Sequence, residues 1–296
     1  MTALILLVGE QPAPNLLPLR HYHPAHVALV CTRFTRPRAE RLAQVIGSIV
    51  EKPFCETDAF RVDEIKATLA RYIEERRWAA SDLIFNLTGG TKTMALAATE
   101  VARQSGARAF YYQTEDNQSL IHPYRFENGD LVCEAAAPIA ATLTLDDYLR
   151  LYVGDYAPNT TPKLDRFEPM VFEALAASDR PGFEVMPSTF LKGVGGNVEV
   201  DVLVRHGNQV AVLEVKRKAG KDGIDQLNSV TEQRVLGTYT RKILVSATPL
   251  DKNNLALAAA YRIEVVVLES GRNGMLSPAD QEKLIEAVAR TLGAKR

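Results

Sequence analysis

The first half of the chain alternates apolar runs with amphipathic segments, and this alternation limits the possible folds more than any other feature. Short apolar runs predict strands, and segments with apolar residues at three- and four-residue spacing predict helices. The predicted strands are 3–8, 26–32, 82–87 and 107–113, and the predicted helices are 36–50, 63–77 and 91–104. Because strands separated by crossover helices run in the same direction, we expect an α/β unit with a parallel sheet covered on both faces.

An antiparallel hairpin and a turn-rich segment follow this unit. The runs 120–126 and 131–134 flank an Asn-Gly turn, which predicts the hairpin. The segment 155–165 contains prolines, threonines and an asparagine and indicates a linker. A length of 296 residues favours two domains. The predicted organisation is a first domain at 1–140, a connecting helix and linker at 141–165, and a second domain at 166–296.

One candidate site is the strand-to-helix junction Asn86-Leu87-Thr88-Gly89-Gly90-Thr91-Lys92. In an open parallel sheet this position is the ligand crevice. The amides of a helix N-terminus, a flexible Gly-Gly backbone, hydroxyls and the Lys92 ammonium all favour a phosphate group. The junction is not a Walker A loop, because that motif requires Gly at position 91. The alternative is an ordinary Gly-Gly turn in which Thr91 caps the helix.

A second candidate site lies in a predicted β-hairpin formed by the Val-rich runs 198–204 and 210–216. Glu214 and Lys216 are two residues apart and therefore face the same side, and the hairpin brings Asp201 onto that side. Carboxylates hold Mg²⁺ or Mn²⁺, and a neighbouring ammonium orients water or offsets phosphate charge, so the group suits metal-assisted phosphodiester hydrolysis. The alternative is that these three residues are merely the solvent-facing side of a strand pair.

The second half resembles the PD-(D/E)xK nucleases of the restriction-endonuclease-like superfamily on these residues. Asp201, Glu214 and Lys216 match the motif, although Val200 stands in place of its Pro. The resemblance implies an α/β domain with a mixed sheet, and an acidic ligand from the preceding helix, for which we expect Glu173 rather than Glu168. The implied catalytic residues are Glu173, Asp201, Glu214, Lys216 and Gln226. The implied ligands of Mn²⁺ or Mg²⁺ are Glu173, Asp201, Glu214 and the backbone carbonyl of Val215.

The first half resembles the CARF domains, the CRISPR-associated Rossmann fold sensors of cyclic oligoadenylates. The run Asn-x-Thr-Gly-Gly-Thr-Lys-x-Met at 86–94 carries the resemblance, which covers about residues 1–140. It implies a Rossmann-like domain with a parallel sheet, and a long loop at 9–15 placed to cap a nucleotide. The implied ligand-binding residues are Gly9, Glu10, Gln11, Asn15, Thr32, Asn86, Thr88, Gly89, Gly90, Thr91 and Lys92.

Together the two halves resemble the CARF-nuclease effectors of type III CRISPR defence. The resemblance implies a homodimer that binds one cyclic tetra-adenylate across its two CARF domains and, once activated, cleaves DNA, RNA or both. Three alternatives stay open. These are an ungated repair or restriction-type nuclease, a messenger-binding module with a degenerate nuclease fold, and a domain that also degrades the messenger as a ring nuclease.

Composition excludes several classes of protein. Hydrophobic residues make up 46% of the chain, which is enough for two cores. No apolar run approaches about 18 residues, and the first apolar run lacks a basic flank, so we expect a cytoplasmic protein without membrane span or signal peptide. The net charge of −1 does not indicate a nucleic-acid-binding protein. Contact with phosphates would therefore depend on local clusters such as Arg217, Lys218 and Lys221.

Overall fold

The chain forms two compact units, Met1–Thr142 and Leu143–Arg296. The structure is a computed structural model that describes residues 1–161, 165–194, 198–232 and 235–294. Of the predicted connecting region 141–165, nearly all falls within the second unit. Among the described residues, no helix has the length and apolarity needed to span a bilayer.

The first unit has the predicted strand–helix alternation. Its elements are, in chain order, β1 (Ala3–Leu7), α1 (Ala13–Tyr22), β2 (His26–Cys31), α2 (Arg36–Ile46), β3 (Cys55–Glu56), α3 (Val62–Glu75), β4 (Leu83–Asn86), α4 (Lys92–Ser105), β5 (Arg108–Glu115), β6 (Gln118–Glu127), β7 (Asp130–Cys133) and β8 (Ala137–Pro138).

The sheet of the first unit has the strand order β3-β2-β1-β4-β5-β6-β7, with β8 paired to β6. The strands β3, β2, β1, β4 and β5 are parallel, and β6 and β7 add the predicted antiparallel hairpin. All five residues of β1 are buried, as expected for a strand covered on both faces. The chain moves from β1 to β2 on one side and later to β4 on the other. This reversal makes the carboxyl ends of β1 and β4 a topological switch point, where such sheets bind ligands.

The loop expected at 9–15 is shorter than predicted, because α1 begins at Ala13. Prolines at the first helical positions are tolerated, since those residues need no intrahelical N–H donor. Helix α2 also departs from the prediction by ending at Ile46 instead of continuing to residue 50, and Gly47 follows it at φ 89°. Positive φ is readily adopted by glycine and ends the helix there.

The second unit combines a mixed sheet, a smaller sheet and helices. Its elements are α5 (Leu145–Tyr152), β9 (Tyr156–Pro158), α6 (Phe167–Ala176), β10 (Phe183–Met186), β11 (Thr189–Leu191), β12 (Val198–Val200), β13 (Val202–His206), β14 (Gln209–Lys216), α7 (Lys221–Val230), β15 (Arg241–Ser246), α8 (Lys252–Ala260), β16 (Ile263–Val267) and α9 (Pro278–Thr291).

The larger sheet of the second unit has the order β10-β13-β14-β15-β16. Strands β13 and β14 form the predicted antiparallel hairpin, whereas β14, β15 and β16 are parallel, so the sheet is mixed as expected. A second sheet has the order β12-β11-β9. The run 198–204 is therefore not one strand. It divides at Asp201 between β12 and β13, which belong to different sheets.

The segment expected to be a linker, 155–165, is partly structured. Its residues Tyr156–Pro158 form β9, which pairs antiparallel with β11. Proline at the end of an edge strand is tolerated, because its missing N–H removes no ladder hydrogen bond from a central position. Turn-forming residues therefore did not indicate a flexible connection here. The predicted linker also includes residues 162–164, which lie outside the described residues.

Candidate functional site

The Gly-Gly loop between β4 and α4 packs directly on the end of β1. A Cβ atom at Gly89 would lie 1.9 Å from the carbonyl oxygen of Leu7, and one at Gly9 would lie 2.9 Å from the backbone nitrogen of Gly90. Gly90 itself has φ 71°. Side chains at these positions would collide with backbone, so glycine is required by packing. The close approach places the start of α4 at the switch point of the sheet.

Two buried asparagines connect the loops of this crevice. Asn86 Nδ2 donates to the carbonyl oxygen of Pro14 at 2.9 Å and to Asn15 Oδ1 at 3.0 Å. Asn15 Nδ2 donates to the carbonyl oxygen of Leu7 at 3.1 Å, and Asn86 Oδ1 accepts from the Thr88 N–H at 3.0 Å. Both asparagine side chains have no exposed surface. The polar atoms of Asn15 and Asn86 therefore hold the loops of the crevice together, and a contact of these residues with a ligand stays a prediction.

The hydroxyls of the loop are also engaged by the protein. Thr88 Oγ1 accepts from the Tyr112 N–H at 2.7 Å. Thr91 Oγ1 accepts from the Met94 N–H at 3.1 Å, as a helix cap does, and donates to the carbonyl oxygen of Ala59 at 2.6 Å. The capping alternative is correct for Thr91, and the side chains of Thr88 and Thr91 stabilise the loop instead of pointing to a ligand.

The remaining candidates of the crevice differ in accessibility. Thr32 is buried and its backbone N–H donates to Thr35 Oγ1 at 3.0 Å, so it belongs to the turn after β2. Glu10 and Gln11 lie on the loop between β1 and α1. Lys92 is exposed as the first residue of α4 and has no ion-pair partner among the described residues. The backbone at the start of α4 and the Lys92 ammonium thus form a positive site suited to an anion.

The second candidate site brings together three residues predicted from the hairpin. The register of β13 and β14 pairs Val202 with Leu213, so Asp201 stands opposite Glu214. Asp201 is 5% exposed and Glu214 is 2% exposed. Asp201 Oδ2 accepts from the Val215 N–H at 2.8 Å, and Lys216 Nζ lies 2.6 Å from Glu214 Oε1.

Two further carboxylates join Asp201. One oxygen from each of Glu168, Glu199 and Asp201 lies within 4.8 Å of the others. Glu168 is in the first turn of α6 and Glu199 is in β12. Glu173, which the sequence favoured, is exposed on α6 and is not part of this group. The structure therefore replaces Glu173 with Glu168 as the helical carboxylate.

Helical geometry explains this correction. Phe167, Val171 and Leu175 are the buried residues of α6. At about 100° per residue, Glu168 lies about 60° from the middle of this buried face, whereas Glu173 lies about 160° from it. Only Glu168 can reach the rim of the sheet on which α6 packs.

The electrostatics of the group follow from burial of like charges. Burial raises the pKa of Glu214 to about 8, with Asp201 adding to the rise and Lys216 opposing it. For Lys216, burial acts to lower the pKa, but its contact with Glu214 outweighs burial and the pKa is raised. Glu214 Oε1 is buried without an aligned hydrogen-bond donor among the described residues, although the Lys216 ammonium is close. Negative charge here exceeds the positive charge that Lys216 supplies.

Helix α7 packs on the part of β14 that contains Glu214 and Lys216. A Cβ atom at Gly223 would lie 3.7 Å from the Cγ atoms of both Glu214 and Lys216. Gln226 is half-buried and lies three residues further along α7, on the same side of the helix as Gly223. Helical spacing thus puts Gln226 on the side of α7 that carries Gly223, and its catalytic role stays a prediction. The same holds for the Val215 carbonyl as a metal ligand.

Glu199 is a residue of the group that was missed as a site residue. It precedes Asp201 by two positions in an alternating Val-rich run, and this spacing is the signal that could have indicated it. Its Oε1 accepts from Asn159 Nδ2 at 2.8 Å and from Ser188 Oγ at 2.5 Å. Asn159 directly follows β9 and Ser188 directly precedes β11, so residues at the ends of these two strands hold Glu199 in place.

The predicted basic rim is smaller than expected. Arg217 contacts both oxygens of Asp165, with distances of 2.7 and 2.8 Å, and donates to the carbonyl oxygen of Gly271 at 3.0 Å. Lys218 and Lys221 are exposed. Arg217 therefore holds the start of α6, and the two lysines are the members of the cluster that remain accessible to a phosphate.

The comparison with known protein families concerns the first half of the chain. The model of the Card1 CARF domain matches residues 3–148, which include almost all of the first unit. This match includes the first residues of α5 in the second unit. No curated protein matches the chain.

Several solved structures are similar to this protein over nearly its whole length. Can2 from Sulfobacillus thermosulfidooxidans, solved in complex with cyclic tetra-adenylate, is 16% identical with a TM-score of 0.75, covering 99% of both chains. Protein VC1899 from Vibrio cholerae is 16% identical with a TM-score of 0.73, covering 99% of this chain and 98% of that one. A type III CRISPR defence DNA nuclease activated by cyclic oligoadenylate is 20% identical with a TM-score of 0.63, covering 96% of this chain and 51% of that one. At these identities the similarity shows the fold of both units.

Proposed function

We propose that the chain is a nuclease that depends on Mn²⁺ or Mg²⁺, cleaves DNA, RNA or both, and is activated by cyclic tetra-adenylate. The observation that carries the proposal is the convergence of Asp201, Glu214 and Lys216 with the carboxylates of Glu168 and Glu199. This convergence supports the PD-(D/E)xK interpretation made from the sequence, and β12 contributes a further carboxylate. Its proposed place of action is the cytoplasm, where nucleic-acid substrates and nucleotide messengers meet.

The donor set fits a hard divalent cation. Carboxylate oxygens of Glu168, Glu199, Asp201 and Glu214 would hold it, and such ligands select Mg²⁺ or Mn²⁺ over softer metals. The pKa of Glu214 is raised, and its buried Oε1 has no aligned hydrogen-bond donor among the described residues. Both features are those of a carboxylate that a bound cation would stabilise. When bound, the cation supplies a Lewis acid for the phosphate and lowers the pKa of a water molecule.

The chain's own residues complete the proposed reaction site. The raised pKa of Lys216 keeps its ammonium charged at neutral pH, so it offsets charge that develops on the phosphate. The Val215 N–H holds Asp201 Oδ2 and thereby fixes the orientation of this carboxylate. The exposed Lys218 and Lys221 attract the nucleic-acid backbone in a salt-dependent manner.

The proposed activator binds at the crevice of the CARF domain. The CARF match, and the fold shared over 99% of both chains with Can2 in its cyclic tetra-adenylate complex, support this ligand. Its phosphates suit the start of α4 and the Lys92 ammonium, which together provide a positive site. In a homodimer, a symmetric cyclic ligand on the two-fold axis contacts the same residues twice.

Activation would shift a dimer from an inactive to an active arrangement. Moving such an equilibrium from 1:99 to 99:1 requires differential binding of about 5.5 kcal/mol. Charge-assisted hydrogen bonds contribute roughly 1.5–3 kcal/mol each, so two to four of them, made by two subunits only in the active arrangement, would supply this amount.

A cleavage assay tests the proposed function. The full chain is incubated with plasmid DNA, single-stranded DNA and RNA, with each combination of cyclic tetra-adenylate and Mn²⁺. We expect cleavage only when both are present, and none from an Asp201→Ala variant that binds the messenger normally. Equal cleavage without messenger would favour the ungated nuclease, and messenger binding without any cleavage would favour the binding module.

A further inference from the structure

A segment of the second unit, which follows α5, ends beside the carboxylate group. After α5, residues Tyr156–Pro158 form β9 and pair with β11, where Thr189 stands opposite Pro158. The ladder continues by one further bond, because the Asn159 N–H donates to the carbonyl oxygen of Ser188 at 2.8 Å. Asn159 is therefore fixed by backbone hydrogen bonding before its side chain makes any contact.

The side chain of Asn159 is oriented at both ends. Its Oδ1 accepts from the Thr161 N–H at 2.9 Å, and its Nδ2 donates to Glu199 Oε1 at 2.8 Å. Because the planar amide has its oxygen on one side, fixing that oxygen directs the NH₂ group towards Glu199. Ser188 Oγ donates to the same oxygen at 2.5 Å, and Ser188 is buried. Two donors on a single oxygen define the rotation of the carboxylate.

This carboxylate needs to be held because its neighbours repel it. Glu199, Glu168 and Asp201 each place an oxygen within 4.8 Å of the others, and like charges at this separation disfavour one another. Asn159 and Ser188 are neutral donors, so they orient Glu199 without cancelling its charge. The arrangement is that of ligands and their supporting hydrogen-bond partners in protein metal sites.

We propose that Glu199 is a ligand of the divalent cation and that Asn159 and Ser188 are its positioning residues. This inference rests on the proposed function and deepens it by naming the residues that hold one of its metal ligands in place. Within the second unit, a displacement of β9 would move Asn159 and release Glu199.

Calorimetric titration of Mn²⁺ into the full chain tests the inference, with Asn159→Ala and Glu199→Gln as the variants. We expect Mn²⁺ affinity to fall on the order of 10- to 100-fold in Asn159→Ala, as for other supporting residues of metal sites, and at least as far in Glu199→Gln. Thr161→Ala is the matched control on the same segment. It keeps the N–H that binds Asn159, so its Mn²⁺ affinity should stay within about twofold of wild type.

Two further readouts separate positioning from loss of fold. Circular dichroism and thermal unfolding without Mn²⁺ should show both variants folded. In cleavage assays, high Mn²⁺ should restore the rate of Asn159→Ala, because only the placement of a ligand is impaired. Wild-type Mn²⁺ affinity in both folded variants would overturn the inference alone. A wild-type chain that binds no Mn²⁺ would overturn the proposed function and the inference with it.

Discussion

Replacing Glu214 with Gln should stabilise the protein in the absence of metal and abolish its response to Mn²⁺. Burial and the charge of Asp201 raise the pKa of Glu214 to about 8, whereas the unfolded chain has the ordinary value. Between these two pKa values the folded state holds a proton that the unfolded state releases. Stability without metal therefore falls as pH rises through this window, by about 1.4 kcal/mol per pH unit from this group.

The magnitude follows from the size of the shift. From the ordinary carboxyl pKa of 4.5 to about 8, the full shift corresponds to roughly 5 kcal/mol as an upper limit at pH 8. Glutamine loses the ion pair with Lys216, which is 2.6 Å long, so the observed gain will be smaller. We expect at least about 2 kcal/mol, or roughly 4–8 °C in the unfolding temperature of a unit of this size.

Thermal unfolding at several pH values between 6 and 9 measures this effect. Glu173→Gln is the matched control, because it removes the same charge from an exposed position on α6. The advantage of Glu214→Gln over this control should grow with pH. Adding Mn²⁺ should reverse the order, since wild type gains about 2.7 kcal/mol at a hundredfold excess over Kd and the variant gains little. No gain over the control across the pH range would refute the argument from buried charge.

Three further predictions concern the messenger site, the helical carboxylate and coupling. Lys92→Ala should weaken the binding of cyclic tetra-adenylate by about one to two orders of magnitude in calorimetry, with the maximal cleavage rate kept. Lys66→Ala is the control and should not weaken this binding. Unchanged affinity in Lys92→Ala would remove Lys92 from the site. Glu168→Ala should lower the rate of single-turnover cleavage by about 10-fold or more, while the rate of Glu173→Ala stays near that of wild type. The reverse order of the two effects would restore Glu173 as the helical carboxylate. A flexible Gly/Ser insertion at 142–143 should leave the affinity for the messenger unchanged but reduce the activation of cleavage. Full activation of this variant would exclude transmission of the messenger signal through the chain connection.

Much of the fold could be predicted because periodicity is a local signal. The run that became β1 is wholly apolar, β2 is apolar after His26, and α4 follows a capping Thr91, so their identities follow from neighbouring residues alone. Helix α1 was missed because its prolines count against a helix, whereas buried leucines on one side hold it in place. Strand β9 was missed because only the pairing with β11, distant in sequence, defines it.

The residues of the candidate sites also divide into those that local sequence identifies and those that depend on partners distant in sequence. Asp201, Glu214 and Lys216 could be identified because two-residue spacing and one tight turn determine which side chains meet. The choice of Glu168 over Glu173 was available from the periodicity of α6, but only once its buried face is taken into account. The roles of Asn15 and Asn86 could not be read locally, because each bonds a partner brought close by the sheet.

The central claim is that messenger binding controls a metal-dependent nuclease in the same chain. The most direct measurement titrates cyclic tetra-adenylate against a fixed concentration of the full chain at saturating Mn²⁺, and records single-turnover cleavage with an Asp201→Ala variant as the blank. We predict that cleavage rises from near zero and saturates at one messenger per two chains, with no cleavage by the variant at any point. Cleavage that is independent of messenger, or that persists in Asp201→Ala, would contradict the account.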